Sequence, residues 1–318
     1  MMIALFIISG LVLLFLGGDV LVNGAVNIAK HFGMSELLIG IVLVGFGTST
    51  PELITSILAT FEGQPGIAVG NIVGSNTANI MLILGVAALI YPIACDKKAF
   101  ARDGGFMVLA SLLLLGACYY GAMNIWSGLI FVCLIGGYIA YCVVTEMQAV
   151  KASQHDMMEE PAPLDKKELV KNSGQFVIGL LMTFAGAHLL VSGSIDLARI
   201  FGISETIIGL TIVAIGTSMP ELVASAMAAI KKNTDIAYGN IIGSNIYNIL
   251  GVLGVTAILK PFVIPSQIVE FDIWVMLGAT ALLLAFSAWG WSLSRWKGAV
   301  FLGGYGLYTF VLYMMATA

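Results

Sequence analysis

GFGTSTPELITS, from Gly45 to Ser56, returns as AIGTSMPELVAS from Ala214 to Ser225. A second phrase, GNIVGSNTANI from Gly70 to Ile80, returns as GNIIGSNIYNI from Gly239 to Ile249. Every counterpart lies 169 residues further along, so Glu52 answers to Glu221, Asn71 to Asn240 and Asn79 to Asn248. The same offset aligns FLGGDVLVNGAVNIAKHFGMSE (Phe15 to Glu36) with FAGAHLLVSGSIDLARIFGISE (Phe184 to Glu205). Roughly half the positions from Gly33 to Gly85 are identical between the copies, which two unrelated apolar segments would not be. The chain is an internal duplication.

Its composition places both copies in a membrane. Of 318 residues, 59% are hydrophobic and 10% charged, with mean hydropathy +1.00, too little charge to clothe a soluble core. About twenty apolar residues cross a bilayer. On that rule ten spans are predicted, at 2–28, 36–61, 66–91, 104–121 and 124–145, then 174–200, 205–230, 236–259, 269–290 and 298–316. The N-terminal run MMIALFIISGLVLLFLGG has no basic flank and no cleavage pattern, so it is read as a retained first helix. The predicted organisation is a first five-helix repeat over 1–145 with core motif 45–80, a cytoplasmic linker loop over 146–173, and a second repeat over 174–318 with core motif 214–249. Five is odd, so the second repeat is inverted relative to the first. With both termini outside, twelve of the fourteen Lys and Arg fall on the inner side, all but Arg199 and Lys260. Inverted repeats of this kind build many secondary transporters.

The repeated phrase carries the chemistry. Pro51 has no N–H, so the carbonyl of Gly47 loses its helical partner, and Pro220 does the same to Gly216. Helix breaks are therefore predicted at Pro51 and Pro220, and freed carbonyls inside a bilayer are tolerated where they line a cavity or meet an ion. Thr48 and Ser49 stand four and three residues before Glu52, on one helix face, and Thr217 and Ser218 repeat this before Glu221. On the next span Asn71, Ser75 and Asn79 form a polar stripe, echoed by Asn240, Ser244 and Asn248. The paired glycines Gly70/Gly74 and Gly239/Gly243 are expected to let helices approach closely. A carboxylate at a helix centre costs about 2.5–3.5 kcal/mol on the lenient insertion scale. Two facing one cavity repel unless a proton or a cation stands between them. All the ligands on offer are oxygens, with no Cys or His in either motif, the donor set of Ca²⁺ or Na⁺ rather than zinc or copper.

These motifs, G-[TS]-S-x-P-E and G-N-x-x-G-S-N-x-x-N in both halves, resemble the two α-repeats of the calcium/cation antiporter superfamily, most closely its prokaryotic sodium/calcium exchanger branch. The resemblance covers most of the chain. It implies an all-α integral membrane fold of ten helices, and Ca²⁺ exchanged for Na⁺ by alternating access, the first and sixth helices sliding across a core of spans 2, 3, 7 and 8. By the same resemblance Glu52 and Glu221 hold Ca²⁺ with help from Thr48 and Thr217. Flanking Na⁺ sites use Ser49, Ser75, Ser218 and Ser244 with carbonyls near Gly45 and Ala214, and Asn79 and Asn248 complete the middle. Several sodium-coupled relatives carry an Asp where this chain has Asn79 or Asn248. With only two carboxylates, coupling to H⁺ through the same glutamates, or a K⁺ requirement, stays open beside Na⁺ coupling. Asp19 and His188 are counterparts in the first and sixth spans, and an ionisable residue there is a functional candidate, weighed against the plainer reading of a hydrogen-bonded or vestibular group.

The histidines His31, His155 and His188 lie outside both motifs, so a motif Ser or Thr has no base beside it and no catalytic residue is expected. No phosphate-binding loop is present, and Cys95, Cys118, Cys133 and Cys142 follow no metal or redox spacing. The expectation is a non-enzymatic antiporter of a bacterial or archaeal plasma (inner) membrane. It needs no cofactor, binds no nucleic acid, works as a single chain, and has inorganic cations and the lipid bilayer as its partners.

Overall fold

Helices account for nearly all of the computed structural model, which describes residues 2–157, 166–201, 214–266 and 268–317. In chain order they are α1 (Met2–Phe32), α2 (Glu36–Phe61), α3 (Pro65–Ile90), α4 (Phe100–Tyr120), α5 (Ile125–Met157), α6 (Lys166–Ile200), α7 (214–230), α8 (Thr234–Leu259), α9 (Ile268–Ala288) and α10 (Arg295–Thr317). Among the described residues nine of these are long and apolar enough to cross a membrane. The exception, α7, is the second half of the predicted span 205–230, whose first half lies outside the described residues together with Glu205. Large apolar side chains such as Leu5, Phe15, Trp126 and Phe310 stand on the outside, while Glu52, Glu221 and the motif asparagines Asn79, Asn240 and Asn248 are buried, the inside-out distribution of a protein solvated by lipid.

The inversion is visible in the packing. α1 lies antiparallel to its counterpart α6, with Gly10 against Gly186, Gly17 against Thr183 and Gly24 against Phe176. Glycines bring the two backbones together where lipid offers no hydrophobic drive. Two short ladders lock the halves at opposite ends. β1 (Ile93–Ala94) pairs antiparallel with β4 (Ser292–Leu293), and β2 (Ala122–Met123) with β3 (Phe262–Val263). Since β3 is the counterpart of β1 and β4 of β2, one ladder is the image of the other. In the interior α8 runs parallel to α2: Gly40 packs on Ile236 and Gly239, Gly45 on Asn240 and Ser244, and every residue from Ile236 to Ile246 is buried.

Two details differ from the sequence reading. The polar stretch 146–173 is not a loop at its flanks, since α5 continues to Met157 and α6 begins at Lys166. Lys, Glu and Gln are good helix formers in water, so both helices run on past the apolar stretch, and residues 158–165 lie outside the described residues. Gly239 and Gly243 make the expected close approach by packing on α2, while the counterpart surface for Gly70 and Gly74 falls within 202–213, outside the described residues. The helix breaks are also displaced. They fall at Ser49 (φ −83°, ψ 10°) and Ser218 (φ −90°, ψ 9°), and Pro51 and Pro220 sit in the first turn of the helices that restart there. A preset φ and a missing donor suit proline to a helix start, so it begins the new segment after the chain has already turned.

Candidate functional site

The restarted segments Thr50–Phe61 and Met219–Ile230 each carry a glutamate in the first turn. The N-terminal end of a helix bears partial positive charge, so each carboxylate sits where its own helix favours it. Both glutamates are fully buried. Each is met by the serine at the other repeat's break: Ser49 Oγ donates to Glu221 Oε1 at 2.8 Å, and Ser218 Oγ to Glu52 Oε1 at 3.5 Å. Ser75 Oγ lies 3.5 Å from the same Glu52 oxygen and 3.4 Å from Ser218 Oγ. On the opposite face Ser244 Oγ donates to the carbonyl of Gly45 at 3.1 Å, and the Thr48 hydroxyl lies 3.0 Å from the Val44 carbonyl and 3.2 Å from Asn240 Oδ1.

The asparagines divide into two kinds. Asn71 Nδ2 donates to the backbone carbonyl of Glu52 (3.4 Å) and to Ser56 Oγ (3.3 Å), and Asn240 does the same to Glu221 (3.2 Å) and Ser225 (2.8 Å). These two clamp one helix to the next. Asn79 and Asn248 are buried, and a π-helical stretch begins at or just before each of them, over Asn79–Ile83 and Tyr247–Leu253. Such wide turns frequently mark functional positions. Asn248 Nδ2 donates to Asn76 Oδ1 at 3.0 Å, and Asn76 Nδ2 to the carbonyl of its own counterpart, Asn245, at 3.2 Å. Among the described residues four buried oxygens at matched positions have no hydrogen-bond partner: Glu52 Oε2, Glu221 Oε2, Asn79 Oδ1 and Asn248 Oδ1. Asn79 Nδ2 is unpartnered there as well; buried polar atoms are almost always paired, and four oxygen acceptors left over together are what a hard cation takes. Among the described residues no three His, Cys, Asp or Glu gather at one point.

The model of the family described as sodium/calcium exchanger protein matches residues 2–144 and 171–314, leaving out only the polar middle and the ends. The chain belongs to this family. It is 33% identical to the sodium/calcium exchanger MaX1 of Methanosarcina acetivorans, over 97% of this chain and 98% of that one. It is 34% identical to the inner membrane protein YrbG of Escherichia coli, over 98% of this chain and 96% of that one. Solved structures of the sodium-calcium exchanger NCX_Mj superpose with a TM-score of 0.82 at 31% identity, covering 98% of this chain and 99% of that one. The chain is therefore an integral membrane protein with the architecture of that family.

Cavities among the described residues border the site. One, of about 220 Å³, is lined by His188 and Val191 of α6 and by Pro51, Gly216, Thr217 and Pro220. Another, of about 510 Å³, opens towards the β2–β3 end and is lined by Asn71, Ser75 and Thr217 together with Asp272, Tyr305 and Tyr308. Thr217 borders both and is half-buried, whereas its counterpart Thr48 is sealed. Asp19 and His188 keep different company: Asp19 pairs with Lys231 at 2.6 Å and accepts from Asn23 at 3.2 Å, while His188 faces the smaller cavity. Ala214 opens the helical turn Ala214–Thr217. The sequence reading passed over Asn76 and Asn245, which meet across the axis relating the repeats, and the buried acids Asp103 and Asp272. Both pairs keep the offset of 169, the signal that would have found them.

Proposed function

We propose that the chain exchanges Ca²⁺ for Na⁺ across a bacterial or archaeal plasma membrane by alternating access, as a single chain with both termini outside. The observation that carries this is the crossed pair of buried glutamates, each bonded to the other repeat's serine and each with its second oxygen unpartnered among the described residues. Two carboxylates bring a charge of −2, which one Ca²⁺ or two Na⁺ neutralise. Ca²⁺ takes six to eight oxygens, within reach of two carboxylates, the amide oxygens of Asn79 and Asn248, backbone carbonyls beside Thr48 and Thr217, and water. Na⁺ ions displace it at flanking positions offered by Ser49, Ser75, Ser218 and Ser244 with carbonyls near Gly45 and Ala214. Because the serines bridge the repeats, an ion leaving the centre loosens the bonds that hold the halves together, which links occupancy to the opening of one face.

Radiolabelled Ca²⁺ uptake into proteoliposomes tests the reading. Uptake driven by an imposed Na⁺ gradient is the expected result, and uptake driven by a pH gradient instead would transfer the coupling to H⁺ through the same glutamates. Failure of both gradients overturns Ca²⁺ as the cargo. Glu52→Gln and Glu221→Gln should each abolish exchange in a folded protein, because either leaves one carboxylate against a divalent charge. Full activity in either removes the site assignment. A reporter fused to the C-terminus should read outside.

A further inference from the structure

The two repeats bury a second pair of acids, and the two are treated differently. Asp103, at the first turn of α4, accepts from Tyr138 at 3.0 Å and from both Arg102 Nε (2.6 Å) and Arg102 Nη2 (2.9 Å). Its counterpart Asp272, at the first turn of α9, accepts from Tyr308 at 2.9 Å, one residue beyond the strict offset from Tyr138. Both are buried and both lie in a π-helical turn, over Phe100–Gly104 and Ile268–Asp272. The residue answering to Arg102, however, is Phe271, which stacks on Tyr308 at 6.2 Å between ring centroids. Among the described residues no cation pairs with Asp272. The helix start and the tyrosine bond favour both acids equally, so they do not explain why only Asp103 has a guanidinium. A carboxylate buried at membrane depth is paired or lines a path for ions. Asp272 lines the 510 Å³ cavity that Ser75, Asn71 and Thr217 of the exchange site also line.

We propose that Asp272 binds a cation in this cavity, with the Tyr308 and Tyr305 hydroxyls beside it, as a staging site for ions passing between the β2–β3 end and the Ser75 face of the central site. The mobile ion takes the place that Arg102 fills beside Asp103. The site is hard and oxygen-lined, and with one carboxylate it holds an ion weakly enough to pass it on. The assignment rests on the exchange reading for the identity of its ions, but its test does not use transport. Tb³⁺ is the probe: it stands in for Ca²⁺, and its emission is sensitised by tyrosine at close range. In the Glu52→Gln/Glu221→Gln protein, purified in detergent, a saturable, Ca²⁺-competed emission should persist. Asp272→Asn should reduce it at least tenfold. Phe271→Arg keeps the carboxylate and its tyrosine while supplying the twin's fixed charge, and should reduce it equally, which decides the matter if Asp272→Asn fails to fold. Absence of saturable emission in the double variant, or emission that survives Phe271→Arg, overturns the proposal, and neither result bears on Na⁺-driven uptake by the unaltered protein.

Discussion

Gly243→Ala concentrates what the α2–α8 crossing does for the site. A Cβ at Gly243 would lie 2.7 Å from Ile41 Cα and 2.8 Å from Ile41 C, both backbone atoms of α2. Carbon atoms rest at about 3.5–4.0 Å, so the helices must separate by close to 1 Å, because no side-chain rotation relieves a contact with backbone. The adjacent Ser244 hydroxyl stands 3.1 Å from the Gly45 carbonyl, and Asn240 Oδ1 stands 3.2 Å from Thr48 Oγ1. Adding about 1 Å takes both beyond hydrogen-bonding range. Overpacking costs about 1–3 kcal/mol and each lost bond about 1 kcal/mol, for a total near 3–5 kcal/mol. Thermal unfolding of the detergent-solubilised variant should fall by roughly 10 °C, taking about 2–4 °C per kcal/mol for a chain of this class. Na⁺-driven uptake should fall further than the loss of folded protein explains, because a carbonyl and a hydroxyl of the site are displaced. Gly278→Ala is the control, since a Cβ there meets no described atom within 4 Å. If Gly243→Ala melts within 2 °C of the control and exchanges at its rate, the crossing does not hold the site as argued.

Two further outcomes follow from the same geometry. Ser49→Ala removes a 2.8 Å bond to a buried carboxylate and Ser218→Ala a 3.5 Å one, so the first should weaken Ca²⁺ binding about tenfold and the second about threefold or less, read by Ca²⁺ titration of the purified protein. Lys232 holds a left-handed φ of 64° where its counterpart is Gly63 at φ 79°; Lys232→Gly should raise the melting temperature by a few degrees, the relief of about 1 kcal/mol of strain exceeding the loss of a long contact with Tyr91.

Much of the fold was legible because a bilayer simplifies the rules. Long apolar runs must be helices, the offset of 169 gave the repeat, and an odd number of spans per repeat dictated inversion. The described helices end within a few residues of the predicted limits everywhere except around 146–173, where polar helix was mistaken for loop because hydropathy registers the end of the membrane and not the end of the helix. The glutamates and serines of the motif announced themselves as polar residues in apolar spans. What the pattern could not give was the crossing of partners. Nothing in GTSTPE says that Ser49 serves Glu221 rather than Glu52, three residues away on its own helix. That follows from the chain turning at Ser49, which aims the hydroxyl out of its own segment. Asn71 and Asn79 also look alike in a stripe, and only the helix that Asn71 clamps makes it a fastener.

The deepest consequence of the duplication lies in how unlike its copies are. Ser49 grips Glu221 at 2.8 Å while Ser218 stands 3.5 Å from Glu52; Asn240 is sealed while Asn71 borders a cavity; Thr48 is sealed while Thr217 borders two. Identical residues in unlike surroundings mean that the asymmetry belongs to the arrangement and not to the side chains. On the alternating-access reading the opposite arrangement exchanges these roles, Ser218 tightening on Glu52 as Ser49 releases Glu221. Because both arrangements use the same bonds, they lie close in energy, and small differences in ion contact suffice to shift the balance. The central charge then becomes decisive. With Asn79 and Asn248 neutral, Glu52 and Glu221 are the charges at the centre and repel each other, so on that reading an ion load that cancels −2 is the one that lets the site close and turn over.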